Sequence, residues 1–203
     1  MPKETFITLH KDKKERIIKG ITIAFTLKQY DAVTVSDIVK HAKIPRGSFY
    51  QYFNDKFDCF MTLLEVIKEE KMHYLKAFSE GLGKESLLFI YLDLVKGGLA
   101  FAKDYPDYFK IGAMLFTAST KEVQAVIDEM EKMSIEMLVN LLKIDQQAGI
   151  LAEDVDLEII AKMLYNFNAK DVVHEVIKGK SHAEVLLMIE GYLNIIKFGA
   201  MKG

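Results

Sequence analysis

Cysteine occurs once in the 203 residues, at Cys59, which excludes an internal disulfide framework and a zinc site built from thiolates. A lone thiol of this kind reads as a small packed hydrophobe rather than a nucleophile. No uninterrupted apolar run approaches the roughly 18 residues needed to cross a bilayer, and MPKETFITLHKDKKER lacks an apolar signal core, so a cytoplasmic chain with no membrane partner is expected. Serine and histidine are sparse and form no nucleophile elbow. No GxxxxGK loop is present to cradle phosphate, and no catalytic residue or cofactor is assigned. One metal pattern stands as an alternative. Glu70 with His73, and Asp171 with His174, repeat a carboxylate-x-x-His spacing of the kind that di-iron helical bundles use twice. One of the two acids is the shorter Asp, and no further inward Glu pair completes the set, so no metal ligand is assigned.

Half the residues are apolar, enough for a substantial core. Apolar positions recur at helical spacing throughout and nothing alternates as a strand would, which predicts an all-α fold. The net charge of −2 hides an asymmetry. Residues 1–56 carry 11 Lys and Arg against 6 Asp and Glu, a surplus of +5, leaving −7 on residues 57–203. A basic head on an acidic body is the footprint expected when the head alone meets phosphates.

Within the head, Thr34 and Asp37 have capping-box spacing, so a short helix opens there. Ile38, Val39 and Ala42 give that helix one apolar stripe. Pro45 cannot continue it but suits the first turn of another. In this second helix Phe49 and Phe53, four apart, plug inward and leave Arg46, Gly47, Ser48 and Gln51 outward. Two short helices joined by a tight turn, the second bearing guanidinium, hydroxyl and carboxamide groups, form a helix-turn-helix unit suited to reading base edges in double-stranded DNA. Before them, Asp12 to Lys28 reads as a bracing helix with Ile17, Ile21, Ala24 and Phe25 inward. Met1 to His10 lacks periodicity and reads as a mobile tail.

From Lys11 to Phe60 the chain resembles the DNA-binding domain of the tetracycline-repressor (TetR) family of bacterial regulators. The motifs are Thr34-x-x-Asp37-Ile38-Val39-x-x-Ala42 and Gly47-x-Phe49-Tyr50-x-Tyr52-Phe53-x-Asp55-Lys56. The chain departs from the family pattern at Gln29 and Lys43, where glycine is usual, and at Pro45, where serine often caps the recognition helix. The resemblance implies a transcriptional regulator, most often a repressor, that binds a pseudo-palindromic operator as a homodimer and responds to a small apolar or amphipathic effector. It also implies phosphate contacts from Thr34, Tyr50, Tyr52 and Lys56.

The expected organisation is a DNA-binding head over residues 1–56 and an effector-binding, dimerising helical body over 57–203. In the body a connector helix starts at Lys56 and is broken by Gly81 and Gly83. An apolar helix over residues 84–103 contains Gly97 and Gly98, which predict a bend or a close neighbour. A long helix runs from Ser119 or Thr120 to about Gln147, with Val123, Val126, Ile127, Met130, Met133, Met137, Leu138, Leu141 and Leu142 expected inward. Asp154 or Asp156 caps a helix over residues 157–178, and Ser181 with Glu184 caps the last. That last helix is apolar on two stripes, one for its own core and one for a second copy, so a two-fold dimer is expected through Leu164, Met188, Tyr192 and Ile195. The Met, Phe and Tyr content between Tyr91 and Tyr165 suggests an adaptable apolar pocket. Phe101, Tyr105, Phe109 and Met114 are expected on its wall, facing Met133, Met137, Tyr165 and Asn168. A second alternative is a protein–protein adaptor that keeps the head fold without reading an operator.

Overall fold

The structure is a computed structural model and describes residues 2–200, without the side chains of residues 199 and 200. The described residues form helices and no strand, as the periodicity predicts. In order these are α1 (Glu4–Ile7), α2 (Lys11–Leu27), α3 (Val35–Ala42), α4 (Arg46–Tyr52), α5 (Lys56–Tyr74) and α6 (Lys76–Gly81). There follow α7 (Leu87–Asp104), α8 (Pro106–Leu115), α9 (Lys121–Gln147), α10 (Leu157–Asn166), α11 (Val173–Ile177) and α12 (His182–Ala200), with a π-helical stretch, Phe167–Val172, joining α10 to α11. No helix among the described residues is long and apolar enough to cross a membrane.

The chain divides into two compact units. The first runs up to Lys71 and takes in Ala102–Ile127; the second comprises Met72–Phe101 and the residues from Asp128 onward. In the first unit α2 packs on α3 and α8, α3 on α4, and α1 on α4. Its core holds Phe6, Ile17, Ile21, Phe25, Ile38, Phe49, Phe53 and Leu63, each at most 2% exposed. Phe25, Tyr30 and Phe60 form one aromatic cluster, with Phe60 4.8 Å from each of the other two rings. Cys59 is fully buried, and burial pushes its thiol pKa far up, so it is packing and not chemistry.

The N-terminal segment corrects the reading of a mobile tail. Residues 4–7 are helical and Phe6 is wholly buried, its ring 4.8 Å from Phe53. A single plug residue carries no periodicity, so a pattern search passes over it.

In the second unit the core is built by Leu88, Tyr91, Val95 and Leu99 of α7 with Leu138 and Leu142 of α9, Ile160 and Leu164 of α10, and Val185, Ile189, Leu193 and Ile196 of α12. Gly97 provides the close approach expected of it: a Cβ there would stand 2.3 Å from the Tyr74 carbonyl oxygen. The Tyr91 hydroxyl donates to the Leu164 carbonyl, which also accepts from the Phe167 amide just before the π stretch. Asp156 caps α10, Gly179 turns the chain at φ 89°, and the Ser181–Glu184 box caps α12.

Two placements are corrected. Leu138 and Leu142 set the buried face of α9, so Met130, Met133 and Met137 lie outside it, 51%, 61% and 45% exposed. Leu164, expected between two copies, is 0% exposed and belongs to its own chain's core.

Candidate nucleic-acid interface

Helix α3 begins with a complete capping box. The Thr34 hydroxyl accepts from the Asp37 amide at 3.2 Å, and Asp37 Oδ2 accepts from the Thr34 amide at 2.9 Å and hydroxyl at 2.7 Å. Lys28, just past the end of α2, closes the box with its Nζ 2.7 Å from Asp37 Oδ1, and its hydrogen bond, followed by those of Thr34, holds the carboxyl far below the usual carboxylate range. The helix ends at Lys43, whose φ of 53° and ψ of 47° are left-handed. Lys43 is the one non-glycine residue with positive φ among those described, and it makes the turn that glycine usually makes in the family resembled.

The turn lets Ile44 bury and places Pro45 as N-cap of α4, with the Ser48 and Phe49 amides donating to the Pro45 carbonyl at 3.0 and 3.3 Å. Phe49 and Phe53 are both 0% exposed, as their spacing predicts. Arg46, Gly47 and Gln51 are exposed and Ser48 half-buried, so the four expected base readers share the outward side. Arg46 Nη1 donates to Ser36 Oγ at 3.1 Å and its guanidinium lies 5.9 Å from the Tyr50 ring centroid. The group is thus held at the surface by neighbours on α3 and α4 instead of sampling solvent freely.

The expected phosphate donors differ among themselves. Tyr50 is exposed, its ring edge-on to Phe49 at 5.2 Å. Lys56 Nζ donates to the Tyr30 carbonyl at 2.8 Å and sits 4.3 Å from that ring's centroid, which leaves two of its three protons for other acceptors. Thr34 is exposed, but its hydroxyl proton points to Asp37. Tyr52, which the resemblance offers as a phosphate donor, is 5% exposed, with Phe6 against its ring at 5.8 Å.

Sequence reasoning missed how much of the first unit lies beyond residue 56. Asp31, in the turn before α3, accepts from the Ser119 amide at 3.1 Å and from its hydroxyl, and these bonds lower its carboxyl pKa. Tyr105 donates to Glu70 at 3.1 Å and Tyr108 bonds to Thr22. Burial, ahead of the nearby Glu122, Asp55 and Asp31 charges, pushes Tyr30 up to about 12. No sequence signal links positions 88 apart, so the Asp31–Ser119 contact had none to give.

The expected pocket residues fall in both units. Tyr105, Phe109 and Met114 are half-buried in the first, where Met114 borders an open crevice of about 220 Å³ with Phe25, Tyr30, Phe60, Ile111 and Leu115. Phe101, in the second, is buried with its ring edge-on to Tyr74 at 5.7 Å. Tyr165 and Asn168 are half-buried there, and a crevice of about 210 Å³ lies between Leu82 and Asp145. Both are shallow and open to solvent, with enclosed room for little more than one water, far short of the roughly 300–1,000 Å³ of a typical ligand pocket. Among the described residues no group of three or more His, Cys, Asp and Glu side chains is placed to hold a metal ion.

A seven-residue helix with an exposed polar side, set against a capped partner helix by a left-handed turn, defines a helix-turn-helix DNA-binding head. Residues 17–62 match the family model of bacterial regulatory proteins of the tetR family. The uncharacterised HTH-type transcriptional regulator YfiR of Bacillus subtilis is 23% identical over 160 residues, 78% of each chain. Among solved structures, a TetR family transcriptional regulator from Chloroflexus aurantiacus superposes with a TM-score of 0.70 at 24% identity over the whole of both chains. The transcriptional regulator FadR from Bacillus subtilis, solved in complex with stearoyl-CoA, gives a TM-score of 0.71 at 19% identity, covering 90% of this chain and 96% of that one. Residues 17–62 thus carry the helix-turn-helix DNA-binding region of tetR-family bacterial regulatory proteins, and the fold of the chain is that of the TetR-family structure above.

Proposed function

We propose that this regulator is an effector-released repressor acting in the cytoplasm, binding a pseudo-palindromic operator as a homodimer. The observation that carries the reading is the outward side of α4. Arg46 and Gln51 stand exposed on a helix whose other side is locked by two fully buried phenylalanines. Arg46 is suited to the two acceptors of a guanine edge and Gln51 to an adenine edge, with Gly47 and Ser48 allowing close approach. Tyr50 and Lys56 then set position on the phosphates. In this reading residues 1–56 bind DNA, and residues 57–203 bind the effector and pair the subunits.

Pairing is supported by α12, where Leu187, Ile195 and Phe198 are 70%, 69% and 89% exposed on one helical face, and by Ile159 of α10 at 57%. Met188 and Tyr192 lie partly in their own chain's core, Tyr192 with its ring 4.3 Å from Phe167, and would border that contact. An apolar or amphipathic effector is supported by the stearoyl-CoA bound to the FadR relative and by the Met- and aromatic-rich residues of the body. Release would follow if the effector prefers an arrangement of the dimer that DNA disfavours.

The test is a comparison of two variants on duplexes differing at single base pairs. Arg46→Ala relaxes discrimination at one position and costs on the order of 1–3 kcal/mol, whereas Lys56→Ala weakens all duplexes alike and lowers the salt slope by about one. Identical behaviour of the two would overturn the division into readers and positioners.

A further inference from the structure

The last four carbonyls of an α-helix have no partners inside it. In α4 these belong to Phe49, Tyr50, Gln51 and Tyr52. The helix closes one itself, Phe53 N to Phe49 O at 2.8 Å. The N-terminal segment takes the other three. Lys3 Nζ donates to the Tyr50 carbonyl at 2.7 Å, the Thr5 hydroxyl donates to the Gln51 carbonyl, and the Lys3 amide donates to the Tyr52 carbonyl at 2.8 Å. The Lys3 ammonium also meets the negative end of the α4 dipole.

The segment is itself anchored. Phe6 has no exposed surface and packs between Tyr52 and Phe53, with Lys14 of α2 5.6 Å from its ring and Lys13 5.8 Å from that of Tyr52. The Phe6 amide donates to the Lys3 carbonyl at 2.8 Å and the Thr8 hydroxyl to the Glu4 carbonyl at 2.9 Å, so the arm holds its own shape. A helix of seven residues is too short to persist unaided, and α4 begins on Pro45 without a side-chain cap. Its C-terminal half depends on what binds those carbonyls.

We propose that residues 3–8 are a positioning element for base reading: the arm fixes the axis and last turn of α4 so that Arg46 and Gln51 reach their base edges, and it does not itself lie on DNA. The inference rests on the reading of α4 as the base-reading helix. Bidentate base contacts require near-linear bonds of about 2.7–3.2 Å, whereas a lysine acts on a phosphate as a point charge that tolerates small displacements. Loosening α4 therefore removes discrimination while leaving general affinity for duplex. The Lys3 ammonium spends one of its three protons on the Tyr50 carbonyl.

The test uses the full chain and a duplex obtained by selection, beside a random duplex, each titrated across salt concentrations. Phe6→Ala should lower affinity for the selected duplex on the order of tenfold, leave the random duplex and the salt slope unchanged, and speed amide exchange in α4 but not in α2. Phe6→Leu, which keeps an apolar plug, should recover the loss. If Phe6→Ala unfolds the head by circular dichroism, Thr5→Val, which removes the hydrogen bond to the Gln51 carbonyl without changing charge, leaves the plug in place and reads the same quantity, with a smaller loss in the same direction expected. Selected-duplex affinity unchanged in a folded variant overturns the proposal. So does a parallel fall for both duplexes with a shallower salt slope, which would put the arm on the phosphates. A selection that returns no sequence at all fails the base-reading role of α4 instead, so the two failures are distinct.

Discussion

A Cβ added to Gly20 would stand 2.2 Å from the Ala42 Cα and 2.4 Å from its amide nitrogen, so α2 and α3 cross backbone to backbone at this point. The crossing fixes the angle at which α3 carries the turn and α4. Gly20→Ala cannot be accommodated by a side-chain shift, since what it meets is main chain. The expected cost is about 3 kcal/mol or more, read as a lower urea midpoint at unchanged slope, with loss of duplex binding.

Lys43 holds a left-handed conformation that L-residues other than glycine adopt at a cost. Lys43→Gly relieves that cost against a larger loss of chain entropy on folding, and its net effect is a stabilisation of up to about 1 kcal/mol; Lys43→Val, β-branched, is destabilising. Thermal unfolding of the three proteins in one buffer checks the order.

Asp37 contributes to stability with a definite pH sign. Its folded-state pKa is depressed, chiefly by the hydrogen bond from Lys28 and then by those from Thr34, so its contribution is present above the unfolded value of about 3.9 and is lost as pH falls below it. Unfolding midpoints measured from pH 6 downward should fall less steeply in Asp37→Asn than in the parent.

The Tyr91 hydroxyl donates to the Leu164 carbonyl in the core of the second unit. Tyr91→Phe removes that bond while the carbonyl keeps the Phe167 amide as donor. The expected loss is about 0.5–1.5 kcal/mol, read as a lower urea midpoint at unchanged slope.

The outward face of α12 carries the dimer reading. Ile195→Glu with Phe198→Glu should leave the fold intact by circular dichroism, since both side chains are exposed, and should shift the protein to monomers in sedimentation. Operator affinity should fall with the loss of the second head. A dimer that persists unchanged would move the pairing surface elsewhere.

The head was legible because its elements carry local signals. Thr34 and Asp37 announce α3, Pro45 marks α4, and the Phe49–Phe53 spacing assigns its buried side; all five lie within twenty residues. What escaped was long-range or non-periodic. Phe6 is a single plug with no repeat around it, and Asp31 meets Ser119 through a contact 88 residues apart. The methionines of α9 misled for a different reason. The apolar positions expected inward there form a band wider than the face that packs, so Val123, Ile127, Leu138 and Leu142 are buried as expected while Met130, Met133 and Met137 at its edge are exposed, and periodicity alone does not set the width of the buried face. On α12 the same ambiguity shifted the outer stripe from Met188 and Tyr192 to Leu187 and Phe198, with Ile195 common to both.

The most direct measurement is selection of bound sequences from a pool of random duplexes with the purified full chain. The account predicts an enriched pseudo-palindrome whose half-sites are centred about one helical turn, roughly 34 Å, or somewhat more apart, with enrichment lost for Arg46→Ala at one symmetric pair of positions. A pool that stays random, or a motif indifferent to Arg46 and Gln51, would contradict it.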